Sequence, residues 1–147
     1  SKVREADIST SLDVVTSPAM ENPDPLWEIL PEIDIFFCNQ SEARLLSNRK
    51  DPPAAARWIF NRGPGTVIIK LGADGCFFLT KNNSAFVPSV SVQNLRDTTG
   101  AGDAFAAGFL AARLWGLDLP VACAAGNRSG ARAVQYVGAV SLTNQKN

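Results

Sequence analysis

The run Thr66-Val-Ile-Ile-Lys-Leu71 constrains the fold more than any other segment. Its β-branched and apolar residues follow one another without alternation, so a strand built from them needs cover on both faces. That places it inside a sheet with helices packed above and below. Two further strands are legible upstream. Ile8, Thr10, Leu12 and Val14 alternate with Ser9, Ser11 and Asp13, the pattern of a strand with one buried face, and Ile33 to Cys38 is a short apolar run. Helical segments fall between them. Leu26 to Leu30 is one or two turns stopped before Pro31, Asn39 to Ser47 is a short helix, and Ala54 to Asn61 places Ala55, Trp58 and Ile59 on one face. Pro18 to Pro25 and Asn48 to Pro53 read as loops. After the Gly72 to Gly75 turn, Cys76 to Thr80 and Ala85 to Val92 read as strands around Lys81 to Ser84. Two helices follow, over 102–115 and 119–134, the second with Pro120 in its first turn. Strands alternating with helices predict an α/β sheet with crossover connections, in a chain that no linker or repeat divides.

Composition removes whole classes of chemistry. The 147 residues include no histidine, which excludes Ser-His-Asp and Cys-His nucleophile systems, imidazole bases and His-ligated metals. Fourteen basic and fourteen acidic side chains cancel, so there is no electrostatic footprint for nucleic acid or an anionic membrane. Cys38, Cys76 and Cys123 lie far apart in apolar stretches, as small buried hydrophobes of a reducing cytoplasm do. The most apolar stretch, Ala104 to Ala112, is far shorter than the ~20 residues of a membrane span. The chain opens at Ser1-Lys2 without an initiator methionine or a signal-peptide apolar region, which predicts that its first residue is not a native gene start.

Three constellations carry candidate chemistry. In Asp97-Thr-Thr-Gly100-Ala101-Gly102-Asp103-Ala-Phe105, two glycines bracket an alanine and an apolar helix follows at once. Free amides and the positive end of a helix dipole make such a turn a site for phosphate. Asp103 in the first turn repels a phosphate. It belongs there either as a base that takes a proton from a hydroxyl attacking that phosphate, or as a helix N-cap. Gly108, inside the helix, points to close approach by another backbone or a ligand. Asn39-Gln-Ser-Glu42 follows a strand directly, where ligands of open α/β sheets bind. Glu42 either holds Mg²⁺ through waters or completes a capping box with Asn39. Lys70-Leu-Gly72-Ala-Asp-Gly75 either accepts a nucleotide against bare backbone or is a plain strand-to-hairpin turn, and no Walker A loop or G-x-G-x-x-G turn is present.

Together these pieces resemble the C-terminal half of the pfkB carbohydrate kinase family (ribokinase-like kinases). Asp97 to Phe105 matches that family's C-terminal signature without departure. The order Leu12-Asp13, Leu30 to Asp34, Asn39-x-x-Glu42, Leu71-Gly72-x-x-Gly75, signature, Asn127, Gly138-Ala139 agrees across essentially the whole chain. The resemblance implies a ribokinase-like three-layer α/β/α fold with a mainly parallel sheet, of which 1–147 would be the C-terminal nucleotide and phosphate-donor portion. It implies an ATP-dependent kinase acting on a sugar hydroxyl, cytoplasmic, with ATP and Mg²⁺. Asp103 would be the base, and the amides of Gly100, Ala101, Gly102 and Asp103 the anion hole. Asn39 and Glu42 would organise Mg²⁺, Lys70, Gly72 and Gly75 would lie near the nucleotide, and Asn127 would line the adenine pocket. Asp97 and Thr99, with backbone near Val134 to Thr143, match a loop that binds a monovalent cation, K⁺, in several members.

The departures lie in what is missing. Family members are about double this length, and nothing here resembles their Gly-Gly sugar-binding region or small β-sheet lid. The fragment alone is therefore expected to be poorly active, with its partner a small-molecule sugar. A homodimer of the full-length parent, through that lid, is the assembly the resemblance allows. Arg128 and Arg132 share a helical face, which is either solvated or directed at nucleotide phosphates. The competing functional reading is a kinase-like nucleotide-binding or interaction module without catalysis.

Overall fold

The computed structural model describes residues 8–16 and 24–138. The chain divides into two compact units, Ser1–Gly72 with Cys76–Phe86, and Ala73–Gly75 with Val87–Asn147.

The first unit is built on a five-stranded sheet in sequential order, β1 (Ser11–Asp13), β2 (Ile35–Asn39), β3 (Thr66–Lys70), β4 (Cys76–Thr80) and β5 (Ser84–Val87). β1, β2 and β3 run parallel and β4 runs antiparallel to β3. The double-faced reading of β3 holds. Val67 and Ile69 join Phe36, Cys38, Phe77 and Leu79 in one core layer, while Ile68 on the opposite face is flanked in register by Phe37 and Phe78, all buried. Each of these large side chains contributes about 1.5–3 kcal/mol by leaving water. Helices α2 (Gln40–Ser47) and α3 (Pro52–Phe60) supply the first layer's cover through Ala43, Leu46, Ala55, Ala56 and Ile59, while α1 (Asp24–Ile29) adds the partly buried Leu26 and Trp27 and the short 3₁₀ turn over Leu30–Glu32 adds Leu30.

Prolines moved several boundaries. Asp24 and Pro25 open α1, although the sequence pattern reads them as loop, and the chain continues through Pro31 in the 3₁₀ turn rather than stopping before it. α3 starts at Pro52, capped by Asp51, whose carboxylate accepts the Ala54 amide at 2.9 Å. Proline fits a first helical turn because its missing N–H has no intrahelical acceptor there. β5 ends at Val87 instead of Val92, since Pro88 cannot donate to a ladder. β1 is limited to Ser11–Asp13, with its entry fixed by Thr10, whose amide donates to Asp34 and whose hydroxyl donates to the Glu32 carbonyl. The remaining residues expected as loop, 18–23, lie outside the described residues.

The second unit is dominated by two helices, α4 (Ala101–Leu114) and α5 (Leu119–Ala133). Asp118 caps α5 by accepting the Val121 amide at 3.0 Å. The close approach expected at Gly108 is made by a helix. A Cβ there would lie 2.2 Å from the Ser129 hydroxyl oxygen and 3.0 Å from the Ala125 carbonyl oxygen. Gly126 lies against the Phe105 ring and Gly130 against the Ala101 carbonyl, so small residues on both helices set their separation.

Candidate active site

In the first unit, the carboxyl ends of the parallel strands gather the expected polar residues. Asn39 ends β2 and caps α2 in a complete capping box. Its side-chain oxygen accepts the Glu42 amide at 2.9 Å, and Glu42 Oε2 accepts the Asn39 amide at 2.6 Å. The structural alternative for this pair is therefore realised, and it occupies only one carboxylate oxygen of Glu42. Among the described residues no group of three or more metal-ligating side chains forms a cage. A hydrated Mg²⁺, which needs one or two carboxylates and keeps several waters, fits the oxygen that remains.

Lys70 is not a free cation at the end of β3. Its ammonium donates to both carboxylate oxygens of Asp13 at 2.8 and 2.7 Å. Reasoning from the sequence missed Asp13. The available signal was a charge at the end of a strand buried on both faces, which requires a counter-ion close by. Cys38, beside these residues, is inert. Burial pushes its thiol far up, the Glu42 and Asp13 carboxylates push the same way, and the Lys70 ammonium opposes them. All three cysteines are buried thiols rather than disulfide partners, as their sequence contexts predict. Gly72 is exposed with φ +62°, and open space surrounds the position of a Cβ, so its backbone is bare.

In the second unit, the signature turn enters α4 as its glycines require. Gly100 is the N-cap with φ 76°, in the left-handed region, and no side chain caps this end. Asp103 is consequently the third helical residue and does not cap α4, contrary to the structural alternative. Its carboxylate is exposed and makes no hydrogen bond or ion pair with any described residue. The expected ring of four free amides is smaller. The Ala101 amide donates to the Thr98 carbonyl at 3.2 Å, and Ala104 closes on the Gly100 carbonyl, leaving the Gly100, Gly102 and Asp103 amides with no carbonyl partner among the described residues.

Ahead of the turn, Asp97 is a clasp. One carboxylate oxygen accepts the Thr99 amide and the other the Gly138 amide, each at 2.9 Å, and the Arg96 and Asp97 amides both reach the Val134 carbonyl. The backbone amides of Thr99 and Gly138 hold the Asp97 carboxyl below the usual carboxylate range. Because the folded value is the lower one, this contribution is complete above the unfolded pKa and is lost as pH falls through the folded value. The amide proton shifts of Thr99 and Gly138 should titrate together, with a midpoint below the ordinary aspartate value. A midpoint at or above that value would remove the clasp. The cation loop expected over Val134 to Thr143 lies outside the described residues beyond Gly138.

Asn127 also stands in the second unit. It is buried in α5, and its side-chain amide donates to the Val87 and Pro88 carbonyls at 3.0 and 3.1 Å. Gly75 lies against the same segment, since a Cβ on it would stand 2.1 Å from the Val87 oxygen. Both donors of Asn127 are therefore spent on chain packing, which leaves only its acceptor for an adenine. Arg128 and Arg132 are exposed, as the solvated reading requires.

Known proteins resemble this chain in sequence and fold. The chain is 38% identical over 105 residues to the 2-dehydro-3-deoxygluconokinase of Bacillus subtilis, covering 71% of this chain and 32% of the relative. It is 35% identical over 138 residues to the ribokinase of Staphylococcus aureus, covering 90% and 43%. Aminoimidazole riboside kinase from Salmonella enterica, solved with aminoimidazole riboside and an ATP analogue, superposes with a TM-score of 0.81 at 31% identity, over 93% of this chain and 49% of that one. An Escherichia coli protein described as a ribokinase II, solved with ATP and Mg²⁺, gives 0.82 at 31% identity, over 93% and 46%. The fold is thus ribokinase-like, and the chain spans less than half the length of these relatives. The family profile for pfkB family carbohydrate kinases matches residues 2–146, and with that signature, this fold and these relatives the chain belongs to the pfkB family of carbohydrate kinases.

Proposed function

We propose that this chain is the phosphate-donor portion of an ATP-dependent sugar kinase of the cytoplasm. The observation that carries the reading is the start of α4, where the Gly100, Gly102 and Asp103 amides, with no carbonyl partner among the described residues, sit with a solvent-facing carboxylate that has no described partner either. The amides and the helix dipole favour an anion there. A carboxylate on the same turn opposes a bound anion unless it accepts a proton during reaction.

In this mechanism the Asp103 carboxylate takes the proton of a sugar hydroxyl as its oxygen attacks the γ-phosphorus of ATP. The bond to the β–γ bridging oxygen breaks, and ADP leaves with the electron pair. The Gly102 and Asp103 amides stabilise charge on the phosphoryl oxygens as it passes. Gly100 contributes the left-handed turn that opens the helix. Glu42, through the oxygen its capping bond leaves free, holds the hydrated Mg²⁺, with Asn39 fixing its orientation. Mg²⁺ supplies neutralisation of phosphate charge. Lys70 and the bare backbone at Gly72 belong to the nucleotide side, with Gly75 closing the turn against Val87. Asn127 shapes the adenine wall by fixing Val87 and Pro88 and presenting its remaining acceptor. Asp97 and Thr99 hold the loop before the turn, and any K⁺ would bind there through backbone carbonyls.

The test uses the full-length protein with γ-labelled ATP, Mg²⁺ and a panel of sugars, keto-deoxy acids and nucleosides. Label should move to one acceptor class and stop when Mg²⁺ is chelated. Binding of ATP without transfer to any acceptor would favour the kinase-like module that lacks catalysis.

A further inference from the structure

We infer that Asp13 is a positioning residue that holds the Lys70 ammonium across β2 for a nucleotide phosphate arriving at the carboxyl ends of the parallel strands. The inference rests on the kinase reading for the identity of that phosphate. The register supplies the geometry. Asp13 pairs with Phe37 and Asn39 pairs with Lys70, so Asp13, Asn39 and Lys70 share one face of three adjacent strands. β1 and β3 are not neighbours. Strands lie about 4.8 Å apart, so the Lys70 and Asp13 side chains together bridge roughly 10 Å of sheet above β2.

A lysine at a strand end ordinarily extends its ammonium into water. Here it lies back over the sheet, 14% exposed, against a carboxylate that is 26% exposed. Pairs this dry are weak stabilisers, because desolvation offsets most of their attraction. What Asp13 does securely is fix the ammonium's position. It takes two of three N–H donors, and the third has no acceptor among the described residues. Asn39 does not compete for it, because its side-chain oxygen and amide are committed to the capping box. Asp13 also cancels the lysine charge, so Lys70 is not drawn to the free oxygen of Glu42 that the Mg²⁺ reading needs. All three charged groups lie close enough to the Cys38 thiol to act on its proton. The end of the sheet where they sit is the end at which ligands of open α/β folds bind.

The experiment measures affinity of the full-length protein for MgATP, MgADP and adenosine by calorimetry, together with melting temperature. The variants are Asp13→Asn, Asp13→Glu, Lys70→Met and the Asp13→Asn/Lys70→Met pair. Asp13→Asn and Lys70→Met should each weaken MgATP about tenfold, the scale of one hydrogen bond to a charged group, and leave adenosine unchanged. The double variant should bind no more weakly than Lys70→Met alone, because Asp13 acts through the lysine, and Asp13→Glu should recover part of the loss. The double variant also removes both charges, so it stays informative if an unpaired lysine unfolds Asp13→Asn. A lowered melting temperature with parental MgATP affinity would make the pair purely structural. Additive losses would show that Asp13 does not work through Lys70, and a parent that binds no MgATP would leave the lysine without a phosphate to meet. A parent whose MgATP affinity depends on Asp13 but which transfers no phosphate would keep this inference and remove the kinase reading.

Discussion

Asp103→Asn in the full-length protein is expected to lower kcat by about 10²–10⁴-fold, the usual contribution of a positioned general base, and to leave MgATP affinity within about twofold. The expectation follows from where the residue stands. Asp103 is the third residue of α4, exposed, with no described hydrogen-bond or salt-bridge partner, and Gly100 rather than Asp103 occupies the N-cap. The substitution therefore breaks no bond to a described residue. It removes one negative charge from the first turn of a helix, an effect of about 0.3–1 kcal/mol. A large kinetic loss beside a small thermal one separates a base from a stabilising charge. Affinity should hold, because the Gly102 and Asp103 amides and the helix dipole are untouched. A variant that turns over within tenfold of the parent would end the base assignment. A variant that loses MgATP instead would move Asp103 into nucleotide binding.

What could be read from the chain depended on whether the determinant was local. β3 was legible because Val67, Ile68 and Ile69 must be covered on both sides wherever they lie in space, and the structure buries all three. The α2 capping box was legible as a four-residue pattern, although the pattern does not say that the Asn39 amide takes Glu42 Oε2 alone. Helix starts at Pro25 and Pro52 were hidden because a proline next to polar residues is compatible with both a loop and a first helical turn. The Asp13–Lys70 pair was out of reach for a different reason. Its partners are 57 positions apart on strands that do not touch, and only the register of β2 between them brings them to one face. Asn127 shows the same limit. Its residue type suits an adenine edge, and nothing in its neighbourhood on α5 announces that Val87 and Pro88 will take both amide hydrogens.

Gly75→Ala is expected to destabilise the protein by about 3 kcal/mol or more, combining backbone strain with overpacking. Two independent costs act at this position. Its φ of +95° lies where side-chain-bearing residues are strained, and a Cβ would fall 2.1 Å from the Val87 oxygen, 2.6 Å from the Ser89 nitrogen and 2.7 Å from the Pro88 carbonyl carbon. All three are backbone atoms, so no rotamer change relieves the clash. The segment cannot simply withdraw either, because Asn127 holds Val87 and Pro88 by their carbonyls, and pulling them away would strand a buried amide. Gly72→Ala provides the internal comparison. That residue also has positive φ, +62°, but nothing lies within 4 Å of its Cβ position, so only the conformational cost of about 1–2 kcal/mol applies. Urea unfolding of both variants isolates the steric component as the difference between them, provided the m-values agree. Equal losses for the two would mean that Val87 to Ser89 yields freely, and Asn127 would then not be the anchor assigned to it. A loss at Gly75 that shrinks when Asn127 is replaced by Ala would instead show the two residues gripping one segment from opposite sides.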